Sequence, residues 1–139
     1  MSYNMLHMKG LYETFFSVLS ADNSLQSLLA GTSVDKKVYP IHHAGASNPP
    51  AVRIAVHSGS SEVGRLVERV VVDVLIASAS GTTQLNNISK RVDELVNRQR
   101  LPGPNGVVVH LCVKMLERDA YDAKSLEYRR IIRYGVIMK

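Results

Sequence analysis

The stretch "RLVERVVVDVLIAS", residues 65–78, constrains the fold more than any other part of the chain. Successive side chains of a strand point to opposite faces. Val70, Val72, Val74 and Ile76 therefore share one side, and Arg69, Val71, Asp73 and Leu75 the other. A run this rich in β-branched residues, and largely apolar on both sides, predicts a central strand. The next stretch, "SGTTQLNNISKRVDELVNRQR", changes period. Leu85, Ile88, Val92, Leu95 and Val96 form one stripe at helical spacing, while Lys90, Arg91, Asp93, Glu94 and Arg98 occupy most of the remaining surface. Thr82 or Thr83 offers an N-cap, and "LPGPNG" ends the helix. A strand that must be covered beside a helix with one apolar stripe predicts helix packed on sheet.

The flanking segments fit this plan. Residues 7–20 place Leu11, Phe15, Val18 and Leu19 on one helical face. Asp22 or Asn23 can cap a short second helix, "NSLQSLLAG", whose Leu25, Leu28 and Leu29 cluster and whose stop is Gly31. "KKVYP" reads as a short strand and residues 43–50 as a loop with two prolines. In "AVRIAVHSG", Val52, Ile54 and Val56 alternate with Arg53, Ala55 and His57, the pattern of a half-buried strand; "SGSSEVG" then connects it to the next one. Two strands finish the chain. Val107, Val109, Leu111, Val113 and Met115 alternate with Val108, His110, Cys112, Lys114 and Leu116. After the turn "AYDAK", Leu126, Tyr128, Ile132, Tyr134 and Val136 share a side that Arg130 interrupts. The expectation is an α+β fold of order α-α-β-β-β-α-β-β. It is a mainly antiparallel sheet with helices on one face, forming a single domain over residues 1–139.

Composition narrows the chemistry. A chain that is 45% hydrophobic is too apolar for disorder, yet has no run of about 20 apolar residues to span a bilayer, so no membrane partner is expected. "MSYNMLHMKG" lacks a basic segment followed by an apolar one, so no signal peptide is expected. The single cysteine, Cys112, excludes an internal disulfide framework and a cysteine-based zinc site, and points to a cytoplasm. The net charge of +5 is dispersed and reads as a solvated mixed surface rather than a DNA-reading patch. His42 and His43 are adjacent, so in extended chain they point apart and chelate one ion poorly; they read as loop histidines. Cys112 lies within an apolar strand and reads as a small hydrophobe, although His110 two residues away keeps a Cys/His pair open. Asp35-Lys36-Lys37 and Asp122-Ala123-Lys124 have the Asp-x-Lys spacing of some metal nucleases, but both fall at turns. No nucleophile elbow, Walker or dinucleotide glycine pattern is present. No catalytic residue, metal or cofactor is expected.

More telling is the outer side of the sheet. Arg69, Asp73, Glu127, Arg129 and Arg133 fall among Val71, Leu75, Ile131 and Ile137. A face mixing charge with bulky apolar groups suits a subunit contact, and equally a second layer of the same core. Arg69, Asp73, Arg129 and Arg133 are the candidate subunit-interface residues.

Three phrases carry a family resemblance: "LYETFFSVLSADNSLQSLLAG", "VYPIHHAGASNPPAVRIAVHSG" and "ERVVVDVLIASASGTTQLNNISKRVDELVN". Together they resemble the tail-completion, or tail terminator, proteins of long-tailed bacteriophages, over roughly residues 8–138. Those proteins begin with a helical segment ending in small residues. A "vyP" phrase follows, then a proline-rich loop before a strand, then a "v-vdv" strand leading into a helix. The resemblance implies a non-enzymatic virion protein, assembled in the host cytoplasm. It would form a ring, usually of six copies, on the head-proximal end of the tail tube. The ring stops tube growth and joins the tail to the neck or connector of the head, and genomic DNA passes through its lumen without sequence-specific binding. "HHAGASNPP" becomes the loop that feeds a strand. His42, His43 and Asn48, with Ser60, Ser61, Glu62 and Arg65 of the following hairpin, become candidates for tube or neck contact. The alternatives are another neck component on the connector side, and a small nucleic-acid-binding or nuclease-like domain.

Overall fold

The computed structural model describes residues 2–41, 49–58, 69–78, 80–103, 108–124 and 126–138. Its elements are α1 (Ser2–Ala21), α2 (Asn23–Leu29), β1 (Val38–Pro40), β2 (Ala51–Ser58), β3 (Arg69–Ser78), α3 (Thr82–Val96), β4 (Leu101–Pro102), β5 (Val108–Asp122) and β6 (Glu127–Met138). The six strands form one sheet in the order β1-β2-β3-β6-β5-β4. Only the β1–β2 pair is parallel. The architecture is the expected α+β one, with helices packed on one face of a mainly antiparallel sheet. The added strand β4 is the start of "LPGPNG", held against the beginning of β5.

Periodicity decides the packing. Val70, Val72, Val74 and Ile76 of β3 are buried under the helices, as are Val52 and Ile54 of β2 and Ile132, Tyr134 and Val136 of β6. The helices return Leu11, Phe15 and Leu19, then Leu25 and Leu29, then Leu85, Ile88, Val92 and Val96, all buried in the same cluster. Phe15 meets Tyr134 with ring centroids 6.5 Å apart. The Tyr134 hydroxyl donates to Asp93 Oδ1 at 3.1 Å, so this buried phenol is not left unpaired. Burial, then the Asp93 carboxylate, pushes its pKa well above the usual tyrosine range.

Asp22 begins α2 as expected. Its Oδ2 accepts the Leu25 N–H at 2.8 Å, and the same carboxylate takes a two-pronged contact from Arg91 of α3, at 2.8 and 2.6 Å. One acid thus caps one helix and ties it to another. Arg91, the dominant cause, holds the Asp22 carboxyl below the usual carboxylate range. A depressed folded pKa gives stability that is complete above the unfolded value of about 3.9 and is lost as pH falls through the folded value. Asp22→Asn should therefore lower the melting temperature at pH 7 and change it little at pH 2. Thermal melts across that range check this, and an equal loss at both pH values would refute the charge contribution.

Local differences from the sequence expectation have physical causes. The cap of α3 is Gly81 rather than Thr82 or Thr83. The chain leaves β3 through a turn that needs φ of 90° there, which glycine adopts freely. The left-handed residue ending α2 is Ala30, with Gly31 behind it; a Cβ on Gly31 would lie 2.0 Å from Gln26 Oε1. Leu126 lies in the final turn at φ 58° and is exposed instead of continuing the β6 stripe. The β5 alternation is broken twice. His110 and Met115 are each an extra residue against β6, between the pairs Val109↔Met138 and Leu111↔Ile137, and between Lys114↔Tyr134 and Leu116↔Arg133. Such bulges shift the pleat by one. Val109 and Cys112 are consequently both buried, although strict alternation puts them on opposite faces.

Candidate functional site

The sheet side opposite the helices is read directly from the strand register. Crossing β2, β3, β6 and β5, one row is Arg53–Leu75–Ile131–Arg118, the next Ala55–Asp73–Arg133–Leu116, and the next His57–Val71–Gly135–Val113. Arg69, Ile137 and Leu111 continue the series. Among the described residues no helix covers this side, because α1, α2 and α3 all contribute to the core on the other. Leu75 and Ile131 stay half-buried, while Leu111, Val113, Met115 and Leu116 are exposed.

Several charges on the face are satisfied within the chain. Asp73 is buried, and its carboxylate accepts from Arg133 Nε at 2.8 Å and Nη2 at 3.0 Å, across directly opposed strand positions. His57 Nε2 lies 3.1 Å from Asp73 Oδ2, the oxygen that also accepts from Arg133 Nη2. The hydrogen bonds to Asp73, then its charge, raise the pKa of the Arg133 guanidinium. Arg129 binds Glu127 at 3.0 and 3.1 Å and lies 3.2 Å from Asp122. Near the sheet end a groove runs between Ile41, Arg53, Leu75, Ala77, Ala120 and Ile131. The sequence grouping of Asp73, Arg129 and Arg133 on one face thus matches their positions, but Asp73 and Arg133 spend their charge on each other. Arg69 sits opposite Ile137 in the backbone register. His42, His43, Asn48, Ser60, Ser61, Glu62 and Arg65 lie outside the described residues.

The catalytic alternatives resolve into structural roles. Asp35 accepts the Lys37 N–H at 2.9 Å and the Tyr39 hydroxyl at 2.6 Å; Asp122 accepts the Lys124 N–H at 3.0 Å. Both Asp-x-Lys motifs are aspartates closing turns onto their own backbone. Cys112 is buried, and burial followed by Asp93 pushes its thiol up to about 12, the reverse of nucleophile activation. His110, the bulged residue, is exposed, so the two share no environment. Among the described residues no group of three histidine, cysteine or carboxylate side chains converges as a metal site would need.

Sequence reading missed both bulges, and the second left a signal. Met115 is turned over Gly135, where a Cβ would lie 2.8 Å from its sulfur. The available signal was that glycine: an isolated glycine inside a strand marks close approach by a neighbour.

No family model matches the chain, and no curated protein sequence matches it. Among solved structures it is similar to a chain described as "Virion of native gene transfer agent (GTA) particle". The TM-score is 0.72 and the identity 14%, over 94% of this chain and 95% of that one. At that identity the likeness defines the fold: an α+β, helix-on-sheet protein whose whole length is shared with a chain from a virion structure.

Proposed function

We propose that the chain is a structural protein of a tailed, phage-like particle and acts there as a tail terminator. In this reading copies close into a ring of about six, stop growth of the tail tube and join it to the neck. DNA passes through without sequence readout. The observation that carries the reading is the full-length fold likeness to a chain from a virion structure. It is supported by the sequence resemblance and by the uncovered mixed face of the sheet. A ring needs a heterologous interface repeated until it closes, and bulky apolar residues among internally paired charges suit one. The reading assigns no reaction and no cofactor.

Light scattering over a wide concentration range, with electron microscopy of the heaviest species, tests it together with a tube-capping assay. Closed rings with a central hole that halt tube polymerisation are expected. A chain that stays monomeric and leaves growing tubes uncapped would refute the terminator role. Docking to the connector without capping would move the protein to the other side of the joint.

A further inference from the structure

The two sides of β5 are used unequally. Strand β6 pairs with it from Val109 to Asp122. On the other side, β4 pairs only at Val108 and Val109. The chain then follows β5 a little further: the Arg98 N–H donates to the Cys112 carbonyl, and the Lys114 N–H donates to Asn97 Oδ1 at 2.9 Å. From Met115 to Asp122 no described segment pairs with the outer edge. That edge is roughly 26 Å long at about 3.3 Å per residue. A strand edge offers N–H and C=O groups outward at alternate residues, and an extended backbone is the partner that satisfies them.

Proteins usually blunt such edges. Here the open length contains no proline. Its carboxylates are drawn back over their own sheet: Arg130 holds Asp119 at 2.6 and 2.9 Å and lies 3.7 Å from Glu117. Glu117 and Asp119 share the helix-side face of β5, opposite Ile132 and Arg130, and remain substantially exposed. On the other face Leu116, Arg118 and Ala120 alternate with them.

We propose that the Met115–Asp122 edge is a docking site for an extended strand of another protein. The strand would carry basic residues at alternate positions with apolar residues between them; that it comes from a particle component rests on the role proposed above. For the same edge of a second copy, the two central registers are unfavourable. An antiparallel pair centred on Arg118 sets Glu117 against Asp119, and one centred on Asp119 sets that residue against itself, both destabilising. The sheet's other edge, β1, is three residues long and ends in Pro40.

The probes are capped (Lys-Val)4, the same peptide N-methylated throughout, and (Glu-Val)4, each added to the isotope-labelled full chain. With (Lys-Val)4, amides at alternate residues within 116–122 should gain at least tenfold protection from hydrogen exchange. The N-methylated peptide should give none, and (Glu-Val)4 should bind at least tenfold more weakly. Glu117→Lys should abolish the preference for the basic peptide, with a melting curve that stays cooperative although the Glu117 carboxylate no longer faces Arg130 and Lys114. No added protection at millimolar (Lys-Val)4, or equal protection from the N-methylated form, overturns the proposal. So does an edge already protected in the free chain with a doubled mass, which would mean a second copy fills it. Rings that cap tubes without this protection would remove the docking strand and leave the tail reading standing. Protection without rings would do the reverse.

Discussion

Val72→Asp is expected to leave the chain without a cooperative thermal transition. Val72 is fully buried and sits mid-sheet, opposite Val56 on β2 and Tyr134 on β6. A carboxylate there has no partner and must stay charged in an apolar site or bind a proton to enter it. Either course costs on the order of 4 kcal/mol or more once lost valine packing is included. A domain of this size has about 5–15 kcal/mol in all. The control is one residue away. Val71 points to the open face and is half-buried, so Val71→Asp should cost only about 1–2 kcal/mol and melt cooperatively. Circular dichroism melts of the two variants give the answer. Similar curves would mean that β3 does not present one dry face and one open face.

That contrast is also the reason so much of the fold was legible in the sequence. Period two across 70–76 and the helical stripe from Leu85 to Val96 each state which side is buried. The buried residues of β3 and α3 follow those stripes. Asp22 was legible as a cap because its chemistry is local. Arg91, 69 residues away, was not legible as its partner, because only the packing of α2 on α3 brings them together. Strict alternation failed in β5, where two bulges reset the pleat and sent Met115 across to Gly135. Arg130, which looked like a flaw in an apolar stripe, is satisfied from two elements: Asp119 on β5 and Ser89 Oγ on α3, the latter at 2.6 Å. At the candidate site the composition of the open face was readable. That Asp73 and Arg133 would neutralise each other depended on strand order, because β3 meets β6 only after the chain has built α3, β4 and β5.

With the charges of Asp73, Arg133 and Arg129 spent internally, the contact energy available on the open face resides in its apolar groups. Leu75 and Ile131 are directly opposed across β3 and β6, and Arg53 and Arg118 lie at either end of their row. The double variant Leu75→Glu with Ile131→Glu should stay folded. Both positions are half-buried on the open face, and each new carboxylate would sit beside an arginine, which offsets the repulsion between them; a stability loss of about 2–4 kcal/mol for the pair is expected, within what a domain of this size survives. The effect on assembly should be far larger. If these two side chains centre the subunit contact, each contributes about 2 kcal/mol, and burying a carboxylate at the contact adds to the loss. Two such losses weaken each contact by roughly a thousandfold at about 1.4 kcal/mol per factor of ten, and a ring needs every contact to close. Light scattering should find monomers at concentrations where the unsubstituted chain forms rings, with a cooperative melting transition well above the assay temperature excluding unfolding as the cause. Rings of normal mass from the double variant would show that copies meet elsewhere, and would turn attention from the face of the sheet to its edges.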